Sequence, residues 1–307
     1  MLQPSATGSE HTLASFYTWQ NYRCAYDRLT PPDTASGVPL LLIHPIGVGL
    51  SRTFWHRFCD EWYRSGQQNV IYNPDLLGCG DSDLPQIAYH PSDWAEQLQS
   101  FLQTVIKTPV VLVVQGALLP VAIDLIHLQP DLIRGVVMSG PPARTLIAKT
   151  PSHWQQQVSW NLFNSPLGNG FYRYARRSQF LQSFSIRQLF ATAEAVDAEW
   201  LAMLKEGSRD LASRHAVFSF LAGFWRQDYT AKLATIAQPS LVVMGEQASS
   251  ISRKGKAETP DERLQDYLTH LPKGDGVKLS GRNVLPYEST AEFVTAIAPF
   301  VNGLVAS

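Results

Sequence analysis

Cysteine is scarce in this chain: three residues in 307, none of them in a C-x-x-C pair. If two of Cys24, Cys59 and Cys79 formed a disulfide, one thiol would be left over. A disulfide framework of the secreted type is therefore not indicated, and neither is a zinc motif. The three residues are predicted to be reduced thiols in a cytosolic type of compartment.

Long hydrophobic runs and a basic leader are also missing. No uninterrupted apolar run approaches the roughly 20 residues that span a bilayer. Residues 1–13 lack the positive start and apolar centre of a signal peptide. We therefore expect a soluble, cytoplasmic protein without a transmembrane segment and with a flexible N-terminus at 1–14. Peripheral contact with a membrane stays open.

Charge is low as well, and it is balanced. Charged residues make up 17% of the chain and the net charge is -1, so composition does not favour a nucleic-acid partner. The hydrophobic share is 45%, which is enough for a sizeable core. A length of 307 residues suits a single α/β domain that carries an insertion.

What is present is an alternation of short apolar strands with helical segments, which predicts a mostly parallel, doubly wound α/β sheet covered on both faces. The strands are predicted at 39–44, 70–73, 109–114, 132–138 and 240–245. The alternation fills residues 15–142 and 235–303. Between them, residues 143–234 are helical in pattern and rich in aromatics, which predicts an inserted helical cap. A polar loop is expected at 247–263 and a closing amphipathic helix at 288–301.

Three motifs in this pattern resemble those of the α/β-hydrolase superfamily. H-P-I-G at 44–47 is similar to the H-G-x-G oxyanion loop, and D-L-L-G-C-G-D-S at 75–82 matches D-x-x-G-x-G-x-S closely. P-S-L-V-V-M-G-E at 239–246 resembles the strand before the family's catalytic acid. The resemblance covers residues 15–303 and implies the capped α/β-hydrolase fold. It also makes V-Q-G-A-L at 114–118 the nucleophile elbow, a strand-turn-helix usually written G-x-S-x-G.

The resemblance identifies three positions for a catalytic triad, and none holds a usable side chain. Gly116 stands in the place of the serine, Ala248 in that of the acid, and Val284, or Asn283 beside it, in that of the histidine. A triad needs a nucleophile, a base and an orienting carboxylate. We therefore predict no catalytic residue, and we also predict no metal site and no cofactor.

The backbone donors of an oxyanion hole would remain, on Ile46 and Ala117. We accordingly predict a catalytically silent protein that binds an apolar small molecule or a protein partner in or near a pocket between core and cap. The residues predicted to line it are His44, Ile46, Gln115, Gly116, Ala117, Ala248, Asn283 and Val284. The alternative is an ester or lactone hydrolase with unconventional groups such as His44, a residue that in the family usually orients the oxyanion loop.

Two charged clusters have alternative interpretations. Arg173, Arg176 and Arg177 would share one helix face in the cap. That face is either simply solvated or an anchor for an acidic partner, a lipid headgroup or a ligand carboxylate. Asp75, Asp81 and Asp83 could suggest a metal, but their spacing is typical of a loop that hydrogen-bonds its own backbone, which we predict instead.

Overall fold

A computed structural model describes residues 14–251 and 258–304 of the chain. The N-terminal segment predicted to be flexible lies outside these residues, apart from Ala14. The described chain begins with a hairpin of β1 (Ser15–Trp19) and β2 (Tyr22–Leu29). Its two-residue turn, Gln20 and Asn21, has positive φ at both positions, which matches the right-handed twist of the strands.

Eight strands of the described residues form one sheet, in the order β1-β2-β4-β3-β5-β6-β7-β8. β1 and β2 are antiparallel to their neighbours, and the other pairs are parallel. This confirms the predicted α/β fold with a mostly parallel sheet. The remaining strands are β3 (Leu40–Ile43), β4 (Ile71–Pro74), β5 (Val110–Gln115), β6 (Ile133–Ser139), β7 (Ser240–Gly245) and β8 (Gly274–Leu279).

Helices cover both faces of the sheet, which explains why the central strands read as continuous apolar runs. Along β5, Val110, Leu112 and Val114 face one core cluster, and Val111 and Val113 face the other. The helices that contribute to these two layers from outside the cap are α1 (His56–Arg64), α2 (Pro91–Phe101), α3 (Leu119–Leu128), and, after the cap, α10 (Pro260–His270), α11 (Leu285–Glu288) and α12 (Thr290–Gly303).

Residues 143–234 contain helices and no strand in the described structure, and we call them the cap. Its helices are α4 (His153–Phe163), α5 (Pro166–Ala175), α6 (Ser178–Phe184), α7 (Ala198–Gly207), α8 (Arg214–Ala222) and α9 (Thr230–Ala234). The cap has a small core of its own, in which Trp160, Tyr172 and Phe218 are buried together. Part of its aromatic content is therefore used for internal packing.

One element prediction in the C-terminal part of the chain was wrong. The polar loop predicted at 247–263 ends earlier, because α10 begins at Pro260 behind a capping box of Thr259 and Glu262. Because the capping residues are polar, the start of the helix has the composition of a loop. Residues 252–257 of that loop lie outside the described residues. The closing helix predicted at 288–301 is present as α12, with bounds two residues later, and the short helix α11 precedes it.

Within residues 14–251 and 258–304, no helix is both long and apolar enough to cross a membrane.

Candidate functional site

The sheet topology brings four strand ends together. Ile43 at the end of β3 pairs with Val114, and Gln115 at the end of β5 pairs with Ser139 of β6, which in turn pairs with Val243 of β7. Because these strands are parallel, the loops that follow them lie at one edge of the sheet. That edge is where open α/β sheets bind ligands. The predicted site residues belong to strand ends, turns or loops at this edge or to the loop before α11.

The turn between β5 and α3 is a sharp one, centred on Gly116. Its φ is +65°, a conformation that glycine adopts freely and other residues only with strain. A Cβ built at Gly116 would meet no heavy atom within 4 Å. The backbone therefore has the form of a nucleophile elbow, and a side chain at this position would project into open space.

His44 is fully buried beside the elbow strand and is held by two backbone groups. Its Nδ1 lies 2.8 Å from the carbonyl oxygen of Pro45, and its Nε2 lies 3.1 Å from the amide nitrogen of Leu76. These partners assign a neutral ring that donates from Nδ1 and accepts at Nε2. Burial lowers the pKa of His44 and so favours the same neutral state. The ring joins the oxyanion loop to the loop after β4.

The two candidate oxyanion donors lie on partly buried residues, Ile46 and Ala117. Among the turn and loop hydrogen bonds of the described backbone, none uses the Ile46 N–H. Ala117 lies in the first turn of the short helix Gly116–Leu118, where backbone N–H groups have no partner within the helix. Neither N–H donates to another backbone group in the turn and loop hydrogen bonds of the described chain.

The positions of the acid and the base are filled by buried apolar side chains, Ala248 and Val284. The Ala248 N–H donates to the Gly245 carbonyl in a tight turn after β7, and the Val284 carbonyl accepts from Tyr287 at the start of α11. The two loops pack backbone to backbone, since a Cβ on Gly245 would lie 2.2 Å from the carbonyl oxygen of Arg282. This contact leaves no space for a larger residue at Gly245.

Asn283 connects these loops to the elbow strand and to the cap. Its amide nitrogen donates to the carbonyls of Ser249 at 2.9 Å and Gln188 at 2.6 Å, and its amide oxygen accepts from the Ser249 N–H at 3.2 Å. Its own carbonyl accepts from Nε2 of Gln115 at 2.7 Å. Asn283 and Gln115, both predicted as site residues, are therefore in direct contact.

Arg282 and Glu288 strengthen the same junction, and the sequence analysis did not select them. The Arg282 guanidinium donates to Oγ of Ser249 and to the carbonyl of Arg187 in the cap. Glu288 accepts from the backbone N–H groups of Arg282 and Ala191. The sequence carries a signal for them, because Arg282 and Glu288 flank residues 283–287, where the resemblance implies the position of the base.

A second feature beside the elbow is a pair of buried polar atoms, one on the predicted site residue Gln115 and one on Ser139, which the sequence did not indicate. The Oγ of Ser139 and the Oε1 of Gln115 are buried and have no hydrogen-bond partner among the described residues. The two residues are register partners at the ends of β6 and β5. Both strand ends carry a polar residue directly after apolar positions, a pattern that could also have identified Ser139.

The D-x-x-G-x-G-x-S loop forms an ion-pair network. Asp75 accepts hydrogen bonds from the backbone N–H groups of Arg52 and Asp81 and contacts the Arg52 guanidinium, which also pairs with Asp27. The described residues contain no group of three or more His, Cys, Asp or Glu side chains able to hold a metal ion. Asp75 bonds backbone groups and an arginine, as expected for a structural loop.

Two cavities of the described structure lie away from the elbow. One, of about 190 Å³, is lined by Asn169, Arg173, Leu211 and Arg214 in the cap. The other, of about 410 Å³, is lined by α1 residues with Glu199, Thr290 and Ala291. Neither includes a residue of the predicted site.

The sequence matches the profile of the alpha/beta hydrolase family over residues 40–297, which is most of the chain. The chain belongs to this family. The match agrees with the elbow-like turn, the oxyanion loop and the capped sheet. A search of the curated proteins finds no matching sequence.

Solved structures similar to this alpha/beta hydrolase share its fold at low sequence identity. A thermophilic esterase from Thermogutta terrifontis, with malate bound, is 18% identical with a TM-score of 0.70, covering 92% of this chain and 94% of that one. The enol-lactonase from Burkholderia xenovorans is 13% identical with a TM-score of 0.69, covering 93% and 99%. A serine hydrolase involved in carbazole degradation is 16% identical with a TM-score of 0.71, covering 94% and 98%.

Proposed function

We propose that this chain is a non-catalytic member of the alpha/beta hydrolase family that binds a small, mostly apolar molecule carrying a carbonyl or carboxylate oxygen. The observation that carries the proposal is Gly116. It keeps the elbow conformation, with a φ of +65°, and leaves the space above it empty of protein atoms within 4 Å of a Cβ. A ligand atom can occupy the volume that a nucleophile would otherwise fill.

The chemistry of the surrounding groups supports binding over turnover. The N–H groups of Ile46 and Ala117 can hold an oxygen, while glycine offers no atom to attack the carbon bound to it. The acid and base positions hold Ala248 and Val284, neither of which can exchange a proton. An esterase and a lactonase among the similar structures favour an ester, a lactone or a carboxylic acid as the class of ligand.

The alternative, a hydrolase that uses His44 as its base, is disfavoured by geometry. Both ring nitrogens of His44 already contact backbone groups. A base must reach the proton that it removes. His44 would first have to give up its hydrogen bond from the Leu76 amide, which joins the oxyanion loop to the loop after β4. An active His44→Ala protein would also exclude this alternative.

The first experiment measures turnover. Wild-type protein is incubated with p-nitrophenyl esters of short and medium chain length and, separately, with a fluorophosphonate probe that labels activated serines. We expect no release of p-nitrophenol above the rate in buffer and no labelled residue. Stoichiometric labelling of one side chain, Ser139 included, would overturn the proposal of catalytic silence.

The second experiment measures binding with a matched pair of variants. Equilibrium dialysis with a medium-chain p-nitrophenyl ester compares wild type, Gly116→Leu and Gly66→Leu. Gly66 is a suitable control because its φ is also positive and a Cβ there also meets no atom within 4 Å. We expect Gly116→Leu to lose binding and Gly66→Leu to retain it. Equal binding by both variants, or no binding by wild type, would refute the elbow as the site.

A further inference from the structure

The outer face of the first two cap helices is apolar and exposed. Along α4, Trp154, Val158 and Leu162 recur every four residues and are 66%, 56% and 55% exposed. Because the helix repeats every 3.6 residues, these side chains form one stripe, opposite the buried Trp160. Exposed apolar side chains arranged in a continuous stripe mark an interaction surface.

The stripe continues onto α5. Leu167, Phe171 and Tyr174 are 74%, 40% and 53% exposed and follow the same helical spacing. The ring of Phe171 contacts Phe163 at the end of α4, with centroids 6.2 Å apart, so the two helices present one surface. We call these six exposed residues of α4 and α5 the cap stripe.

The sequence segment that carries the cap stripe has charges of one sign. Residues 132–193 contain no aspartate or glutamate and seven arginines or lysines, in a chain whose net charge is -1. Arg173 and Arg177 are exposed on α5 and just after it. The Arg177 guanidinium lies 5.7 Å from the centroid of the Tyr174 ring, so positive charge adjoins the stripe directly.

We propose that the cap stripe docks on the surface of an anionic phospholipid membrane. Exposed Trp, Phe, Tyr and Leu side chains enter the boundary between headgroups and acyl chains, and flanking arginines pair with anionic headgroups. The absence of carboxylates from this segment removes the repulsion that an anionic surface would otherwise meet. A second copy of the chain fits less well, because a symmetric contact would oppose Arg173 and Arg177 to their own counterparts. The inference does not rest on the proposed ligand site.

The test is flotation of the purified full chain with vesicles of phosphatidylcholine, with or without phosphatidylserine. We expect binding to the anionic vesicles and much weaker binding to the neutral ones, and we expect added salt to reduce it. Arg173→Gln with Arg177→Gln should weaken binding about fivefold for each charge removed. Trp154→Ser with Leu167→Ser should weaken it about tenfold or more.

Matched controls lie outside the cap. Leu128→Ser removes an apolar side chain that is 40% exposed at the end of α3, and Arg64→Gln removes an exposed charge on α1. Both should leave vesicle binding unchanged. The proposal is overturned if wild type fails to float with anionic vesicles, or if the controls and the stripe variants bind equally. Light scattering that shows a dimer dissociated by Leu167→Ser, without vesicle binding, would assign the face to a second copy instead.

Discussion

Two glycines with positive φ, Gly116 and Gly49, lie in opposite surroundings. Gly116 adopts a positive φ in open space, whereas Gly49 adopts a positive φ against the cap. A Cβ on Gly49 would lie 2.0 Å from the carbonyl oxygen of Leu204 in α7, and a Cβ on Gly207 would lie 2.2 Å from the carbonyl of Gly49. The chain just after the oxyanion loop thus crosses α7 at a close contact between Gly49 and Gly207.

This difference predicts unequal costs for the same substitution. Gly116→Ala should lower the free energy of unfolding by about 1–2 kcal/mol, the cost of a left-handed conformation for a residue with a Cβ. Gly49→Ala should cost about 1–3 kcal/mol more, because the loop must also move away from Leu204. Urea unfolding of both proteins measures the difference. Equal midpoints for the two variants would contradict the close crossing.

At the scale of elements, side-chain hydrogen bonds of Asn283 join the loop after β7 to the loop before α11. Asn283 contributes three side-chain hydrogen bonds that join the two loops to the cap. Each bond contributes on the order of 1 kcal/mol, and removing one partner leaves buried groups unsatisfied. Asn283 acts there together with Arg282 and Glu288.

Asn283→Ala should therefore destabilise the protein by about 3 kcal/mol. Thermal or urea unfolding measures the loss, and hydrogen exchange should show faster exchange at the Ser249 amide. Asn302→Ala is the matched control, since the Asn302 side chain makes one exposed bond to Gln67, and it should change stability little. A loss for Asn283→Ala no larger than that of the control would mean that the loops hold together without it.

The sequence predicted the strands of the parallel sheet well and the connections between loops poorly. Each central strand is a short apolar run between turn residues, a local signal that can be read without neighbours. The start of α10 was missed because its capping residues look like a loop. The bond between Gln115 and Asn283 joins residues 168 positions apart, and no local pattern encodes such a partner. The predicted site residues were chosen by their positions in motifs. The hydrogen bonds between them could be found only from the fold.

For the whole molecule, a buried histidine in the cap connects stability to pH. His215 of α8 is 1% exposed and lies against the Trp160 and Phe218 rings. Burial, assisted by the neighbouring Arg214 charge, lowers its pKa from 6.5 to about 4. Between these values the unfolded chain binds more protons than the folded one, so stability falls as the pH decreases through this window.

His215→Gln should reduce this dependence, because glutamine does not titrate. We expect wild type to lose more stability than the variant between about pH 7 and about pH 5, measured as urea midpoints. Burial also lowers the pKa of His44, so some dependence of the same sign should remain in the variant. The exposed His153→Gln should behave as wild type. An unchanged slope in His215→Gln would show that this ring does not govern the response.

The three cysteines of the described structure are poorly accessible to thiol reagents because they are buried. Cys24, Cys59 and Cys79 are all buried, and burial raises the pKa of each thiol, for Cys24 to about 11. A thiol reacts as its thiolate, so we expect little reaction of the native cysteines with a maleimide. One cysteine introduced at an exposed position of α4 would carry a spin label or fluorophore alone, and the cap could be followed by spectroscopy with all three native thiols in place.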